Sequence, residues 1–239
     1  MAHCINNLSS FWKVITSDKS IYKQGFLDYQ TVRRKYILTQ ISNITGKDCM
    51  EPAPLLGKKL LDVGCGDIDM AKEMVFRGAE VTALDISDDV IESAKEKADK
   101  LGAPMNFIQG RPEDLVTSEE TFDILLCLDV LAYVKDKKRF IWAMSKLLNP
   151  GGVIIFSEHH NGVWSYIWHV WIADKLAHWI PKKTYTNYKA ISQEDTLKMM
   201  KDAKFSINNI QDLSFNLSRK KWTKESASAI RYIGVAEKK

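Results

Sequence analysis

Two glycines set among acids, Asp62-Val-Gly64-Cys65-Gly66-Asp67, precede a further acid, Asp85, by the interval that separates a phosphate-type turn from a ribose-binding carboxylate. Glycine at 64 and 66 lets the chain turn sharply and approach a bound molecule with no Cβ in the way. A carboxylate at the end of the next strand can accept both hydroxyls of a ribose. The third glycine of a dinucleotide turn is absent, because position 69 is Asp. Asp67 and Asp69 would oppose a pyrophosphate at the following helix N-terminus, so a cationic, phosphate-free nucleoside fits the pattern better. A glycine turn in some other α/β fold is the alternative reading. A second group, Ser157-Glu158-His159-His160-Asn161, gathers titratable side chains behind an apolar run. A neutral imidazole there could take a proton from an acceptor of pKa about 10. Asp129, which closes another apolar run, could orient that imidazole or the acceptor. For the histidine pair a polar surface turn remains the competing account.

The elements needed to hold these residues can be read from periodicity. Leu60, Leu61 and Val63 form a short buried strand, and 70–77 the helix after the turn. Ser87 is placed to cap a helix over 88–101 that Gly102 ends. Strands follow at 105–109, 122–128 and 153–156, with a helix through Phe140, Ile141, Met144, Leu147 and Leu148 stopped by Asn149-Pro-Gly-Gly152. Ser192 to Asp195 resembles a capping box. Strands at 205–211 and 230–236 close the chain, with Trp222 in the loop between them. The expectation is a Rossmann-like, seven-stranded, mostly parallel sheet with one antiparallel edge strand and helices on both faces. Ligands then bind at the carboxyl ends of the parallel strands.

Composition narrows the class. The chain has 239 residues, 45% of them hydrophobic, enough for one large core. A net charge of +4 without a basic stripe argues against a nucleic-acid partner. Four cysteines without a Cys-x-x-Cys spacing suggest neither a disulfide framework nor a zinc site, and hence a reducing cytoplasm. No apolar stretch is long enough to span a bilayer, and no signal-peptide core precedes the domain.

Two flanking segments are less determined. Residues 1–50 read as a helical extension or lid before a domain at 51–239, with Tyr29, Val32, Tyr36 and Ile37 at helical spacing beside Arg33 and Arg34. This helix either packs on the sheet or closes over the ligand with an arginine reaching a carboxylate. A tryptophan-rich insertion at about 161–190 places Trp164, Trp168, Trp171 and Trp179 on one helical face. It caps a pocket or lies in a membrane interface, with Lys175, Lys182 and Lys183 near anionic lipid. An apolar, membrane-dissolved substrate suits either arrangement, and with it a peripheral position on the inner face of a membrane.

Leu61 to Gly66, with Asp85, resembles the first motif of the class I S-adenosylmethionine-dependent methyltransferases. Arg33 to Ile37, Phe122 to Leu128, Pro150-Gly-Gly, His178 to Thr184, Leu213 to Asn216 and Arg231 to Ala236 follow in order. Together they resemble the ubiquinone-biosynthesis O-methyltransferases, which methylate hydroxyls of polyprenylated catechols. The resemblance implies S-adenosylmethionine as cofactor, with Arg33 at its carboxylate, Gly64 at its amino-acid end, Asp85 at its ribose and Leu128 beside it. Asp62, Cys65, Gly66, Ile86 and Glu113 complete the expected cofactor contacts. In the adenine loop, Arg111 and Pro112 stand where an acid and a backbone donor are expected. Proline has no N–H, which turns attention to Glu113 or Asp114. The family pattern Glu-x-x-Glu-His after the fourth strand, able to hold a divalent cation, is replaced by Asp129-Val-Leu-Ala132-Tyr133. No metal site is therefore expected. His160 or His159, with Asp129, becomes the candidate catalytic group, for O-methylation of a small, apolar, aromatic hydroxyl. Another natural-product acceptor, at nitrogen or carbon, and a cofactor-binding protein without turnover are the alternatives.

Overall fold

The computed structural model describes residues 20–48, 51–161, 189–216, 221–224 and 229–239. The tryptophan-rich segment and its expected helix lie outside the described residues. A long helix, α1 (Ser20–Thr45), precedes an alternation of β1 (Lys59–Val63), α2 (Asp69–Val75), β2 (Glu80–Asp85), α3 (Asp88–Leu101), β3 (Asn106–Gln109), α4 (Pro112–Leu115) and β4 (Phe122–Leu128). A 3₁₀ turn (Leu131–Tyr133), α5 (Lys137–Leu147), β5 (Leu148–His159), α6 (Gln193–Asp202), β6 (Phe205–Asn216), β7 (Lys221–Thr223) and β8 (Arg231–Lys238) follow.

The strands form one sheet in the order β3-β2-β1-β4-β5-β8-β6-β7. From β3 to β5 every pairing is parallel. The mostly parallel, two-sided architecture with an antiparallel strand at its edge, β7, is as expected, but the sheet has eight strands among the described residues where seven were expected, and a further antiparallel strand lies inside it. β8 inserts between β5 and β6, antiparallel to both, and β7 adds a short outer strand carrying Trp222. Insertion gives β8 hydrogen-bonding partners on both sides, which suits its apolar Tyr232 to Ala236 run. β5 also starts earlier than expected: Leu148 leaves α5 and pairs with Phe122.

Alternation of side chains across the strands creates two apolar layers. Leu60, Leu126, Ile155 and Ile233 point to one face, covered by Tyr29, Tyr36, Ile37 and Ile41 of α1 and by residues of α2 and α3. Leu61, Leu125, Phe156 and Tyr232 point to the other, covered by Phe140, Ile141, Met144 and Leu147 of α5 and Met200 of α6. Ile37 and Ile41 are fully buried, each worth about 1.5–3 kcal/mol. Helix α1 therefore shares the core of the sheet and is held there by packing. Cap chemistry matches the sequence in one place and not in another. Ser192 Oγ accepts from Asp195 N at 2.9 Å. At the start of α3 the Ser87 hydroxyl makes no cap bond; its N–H instead donates to Asp85 Oδ1 at 3.0 Å.

Candidate functional site

The glycine loop is wound tightly against the end of β2. Gly64 N and Cys65 N both donate to Leu84 O, at 2.8 and 3.1 Å. Gly64, Gly66 and Ile68 have φ of +71°, +48° and +51°. At Gly64 a Cβ would stand 2.6 Å from Val130 Cγ2, so the loop passes too close to the residues after β4 for any side chain. At Gly66 no atom of the described residues lies nearer than 3.9 Å to where a Cβ would stand. Ile68 is a β-branched residue in left-handed conformation, held by complete burial. Asp67 and Asp69, expected to repel phosphate, are ion-paired to Lys97 at 2.7 and 3.4 Å. Burial raises the pKa of Asp69, but Lys72 and Lys97 outweigh it and the net direction is downward.

Above this loop the half-buried Asp85 carboxylate is anchored by Ser87 N and, at 3.4 Å, by Gly66 N. Ile86 beside it is 59% exposed, an apolar side chain set at the mouth of the crevice. Asp114 is engaged by its own turn, accepting from Arg111 N at 2.9 Å. Glu113 keeps a buried oxygen, Oε2, with no hydrogen-bond partner among the described residues. Burial raises the Asp62 carboxyl to about 7, with Arg33 pulling it down and Asp85 pushing it up. Burial likewise pushes the Cys65 thiol up to about 12, so Cys65 offers backbone and shape, not a thiolate. A ribose acid, an exposed apolar face, an orphaned carboxylate oxygen and two glycines in a tight turn suit an adenosine-type cofactor with an amino-acid tail.

Asp129 lies at the carboxyl end of β4 with φ of +62°. Its Oδ2 accepts from Arg33 Nη1 at 3.0 Å and Arg231 Nη1 at 2.9 Å, and its Oδ1 from Ser157 Oγ at 2.9 Å. The Tyr29 hydroxyl completes the shell at 3.3–3.4 Å. The Arg231 guanidinium also stacks over the Tyr29 ring, 4.0 Å from its centroid. Burial alone would raise the Asp129 pKa, but Arg231, Arg33 and His159 hold it well below the usual carboxylate range. Burial raises that of Tyr29, which stays a neutral phenol. Such a carboxylate is a poor place for the divalent cation implied by a Glu-x-x-Glu-His pattern. The ion would have to displace two guanidiniums, and Ala132 offers no side-chain ligand. The described residues hold no group of three His, Cys, Asp or Glu able to bind a metal.

The two histidines part company. Strand alternation sends Ser157 and His159 to the α1 face, with Asp129 and Arg231, while Glu158 and His160 go to the face of α5 and α6. His160 Nε2 meets Asp212 Oδ1 at 3.1 Å and packs edge-on to Tyr232. Its orienting acid is thus Asp212 of β6, and Asp129 is committed elsewhere. Glu158 is wholly buried beneath the 3₁₀ turn, where Oε1 accepts from Leu131 N and Oε2 has no hydrogen-bond partner among the described residues. Burial, reinforced by Asp129, pushes its carboxyl up to about 8 against bonds from Leu131 and Ala132.

A raised folded-state pKa in an acid means that the native state holds the extra proton. Stability is therefore full below the unfolded value and falls as pH climbs from about 4.5 toward 8. Glu158→Gln, which mimics the protonated carboxyl, should flatten that slope and leave the variant more stable than wild type at pH 8 by on the order of 2–3 kcal/mol. Urea titrations at pH 5 and pH 8 measure it. Parallel slopes in the two proteins would show that Glu158 does not titrate in this window.

The structure links Gly64, Cys65 and Gly66 to the end of β2 and Asp85, and Arg33 to Asp62 and Asp129, while Ile86 follows Asp85, Glu113 stands in α4 and Leu128 is half-buried beside Asp129. It adds Tyr29, Arg231 and Asp212, to which the sequence reading gave no role at the site, and ties Ser157, read there as part of the histidine group, to Asp129. The signal for Arg231 was an arginine opening an apolar strand; that for Asp212 was an acid amid an amphipathic one.

Residues 56–226 match the family described as "Methyltransferase domain". The chain is 28% identical over 181 residues to the ubiquinone biosynthesis O-methyltransferase of Rickettsia prowazekii, covering 76% of this chain and 71% of that protein. It is 34% identical over 163 residues to the one of Vibrio atlanticus, covering 68% and 69%. Among solved structures it resembles the magnesium protoporphyrin IX methyltransferase of Synechocystis PCC 6803 with bound SAH. The TM-score is 0.63 at 19% identity, over 95% of this chain and 93% of that one.

Proposed function

Since the chain belongs to the S-adenosylmethionine-dependent methyltransferases, we propose that its acceptor is a small, apolar aromatic hydroxyl. The likeness to relatives named O-methyltransferases, at 34% identity for one of them, carries this reading. The cofactor, when bound, supplies an electrophilic methyl group on a sulfonium. What remains for the protein is placement and one proton. Asp85 would hold the ribose, Ile86 and Glu113 the adenine side, and Gly64 and Gly66 give the close backbone approach. Asp62 and Arg33 face the amino-acid tail, an acid for its ammonium and a guanidinium for its carboxylate. His159, on the same sheet face as Asp129, would accept the hydroxyl proton, a reading supported by its register opposite Arg231.

Incubation with labelled methyl donor and lipid extract, followed by mass spectrometry, tests the acceptor. A labelled aryl methyl ether is the expected product; label on nitrogen or carbon, or none, overturns the assignment. Cofactor contacts are tested separately. Asp85→Ala should weaken S-adenosylhomocysteine binding by about 1–3 kcal/mol in calorimetry, through loss of charge-assisted hydrogen bonds. An unchanged affinity removes Asp85 from the site.

No helix among the described residues is long and apolar enough to cross a membrane. The tryptophans and lysines of 164–183 support docking on an anionic lipid surface, from which an apolar acceptor could be drawn. Wild type should then sediment with anionic vesicles more than with neutral ones, less so in salt. Trp171→Glu should release it; equal retention of the two proteins would assign the segment to capping the pocket.

A further inference from the structure

The ion pairs at Asp129 set two cations against one carboxylate. Two guanidiniums share one carboxylate oxygen. The Nε atoms of both arginines are buried and have no hydrogen-bond partner among the described residues. Facing Arg231 are Tyr29 of α1, Asp129 after β4 and, on β5, its register partner His159 and the buried Glu158, while Arg33 shares Asp129 with it and Asp62 of β1 faces Arg33. Among these, Asp129 is the one carboxylate bonded to either guanidinium. Asp129 is still about one-fifth exposed, so the cluster opens to the crevice. A buried cation with an unused donor has a strong demand for an anionic oxygen.

We propose that Arg231 is a binding residue for the ionised oxygen of the methyl acceptor, an oxyanion subsite in which a guanidinium fixed by Asp129 and Tyr29 supplies the counter-charge. It rests on the aromatic-hydroxyl reading above. The acceptor O–H bond breaks and its proton passes to the imidazole of His159. The oxygen pair then forms the new O–C bond as the methyl C–S bond breaks and its electrons remain on sulfur. Arg231 favours the first of these events by stabilising negative charge on oxygen before transfer. The ligand class that follows is an acidic phenol or catechol, and a neutral ether of the same shape is excluded.

The test uses 4-nitrocatechol, whose visible absorbance reports its ionisation, with the full chain saturated with S-adenosylhomocysteine and chelator present. In wild type the bound probe should ionise about one to three pH units below its value in solution. Arg231→Met should abolish the shift and Arg231→Lys keep part of it. Removing Arg231 leaves Asp129 paired with Arg33, so the variant retains a balanced ion pair. A comparison within wild type needs no variant: at pH 8 the probe should bind at least about tenfold more tightly than its dimethyl ether, one charge-assisted contact. No binding, an unshifted midpoint, a shift that survives Arg231→Met, or equal affinity for the ether overturns the proposal. The labelled-donor assay separates the two readings. Aryl ether formation without the ionisation shift sinks the subsite alone, whereas the shift without ether formation sinks the acceptor assignment and leaves the oxyanion subsite standing.

Discussion

Asp129→Ala should destabilise the fold by about 3–5 kcal/mol, because it strands two buried guanidiniums without their carboxylate. Both arginines donate to that one side chain at about the same length, 3.0 and 2.9 Å, and Ser157 and Tyr29 close around it. The residues come from α1, β4, β5 and β8, so the loss should loosen the attachment of α1 to the sheet. Left-handed backbone at 129 adds a smaller cost for alanine, which tolerates φ of +62° less well than Asp or Asn. Asp129→Asn isolates the charge: it keeps the backbone preference, and most of the destabilisation should remain. Denaturant titration with amide exchange of α1 measures both effects. A loss below about 1 kcal/mol would mean that the cluster is solvated in solution and that its ion pairs are of the weak, exposed kind.

His159→Ala should lower kcat by about 10²–10⁴-fold, whereas His160→Ala should leave kcat within a few-fold of wild type. Adjacent in sequence, the two rings are separated by the sheet. His159 shares a face with Asp129 and stands opposite Arg231; His160 is bound to Asp212 on the far side. The pH–rate profile of His159→Ala should lose its acid-side limb, since a general base must be neutral to act. His159→Gln, closer in volume, guards against a loss that comes only from a cavity in the buried site. Turnover should persist in chelator, because the carboxylate of Asp129 is already neutralised by protein cations. A rate loss in His160→Ala with His159→Gln near wild type would reverse the assignment. It would place proton transfer on the Asp212 side.

The parts of this protein legible in its sequence are those whose causes lie within a short stretch of chain. The turn Gly64 to Gly66, the acid Asp85 at the end of the next strand, helix α3 with Gly102 behind it, and the apolar run of β4 are each set by local rules. Backbone sterics, hydrophobic period and cap chemistry act over roughly one or two turns of chain, so residue types alone convey them. The glycine turn and the acid beyond it could be anticipated for that reason, as could the mostly parallel sheet. Tertiary structure decided the rest. Asp129 was read as a partner for histidine or acceptor, but its fate depends on Arg33 and Arg231, 96 and 102 residues away. His160 finds Asp212 at a separation of 52. Whether β8 lies at the edge or between β5 and β6 determines that His159 stands opposite Arg231 and Glu158 opposite Tyr232. Register fixes such pairings one residue at a time, and a slip of one would send each of these side chains to the other face. The order of strands is settled by the whole core at once, through burial on both faces. No local pattern around Asp129 records which cations that core will bring to it.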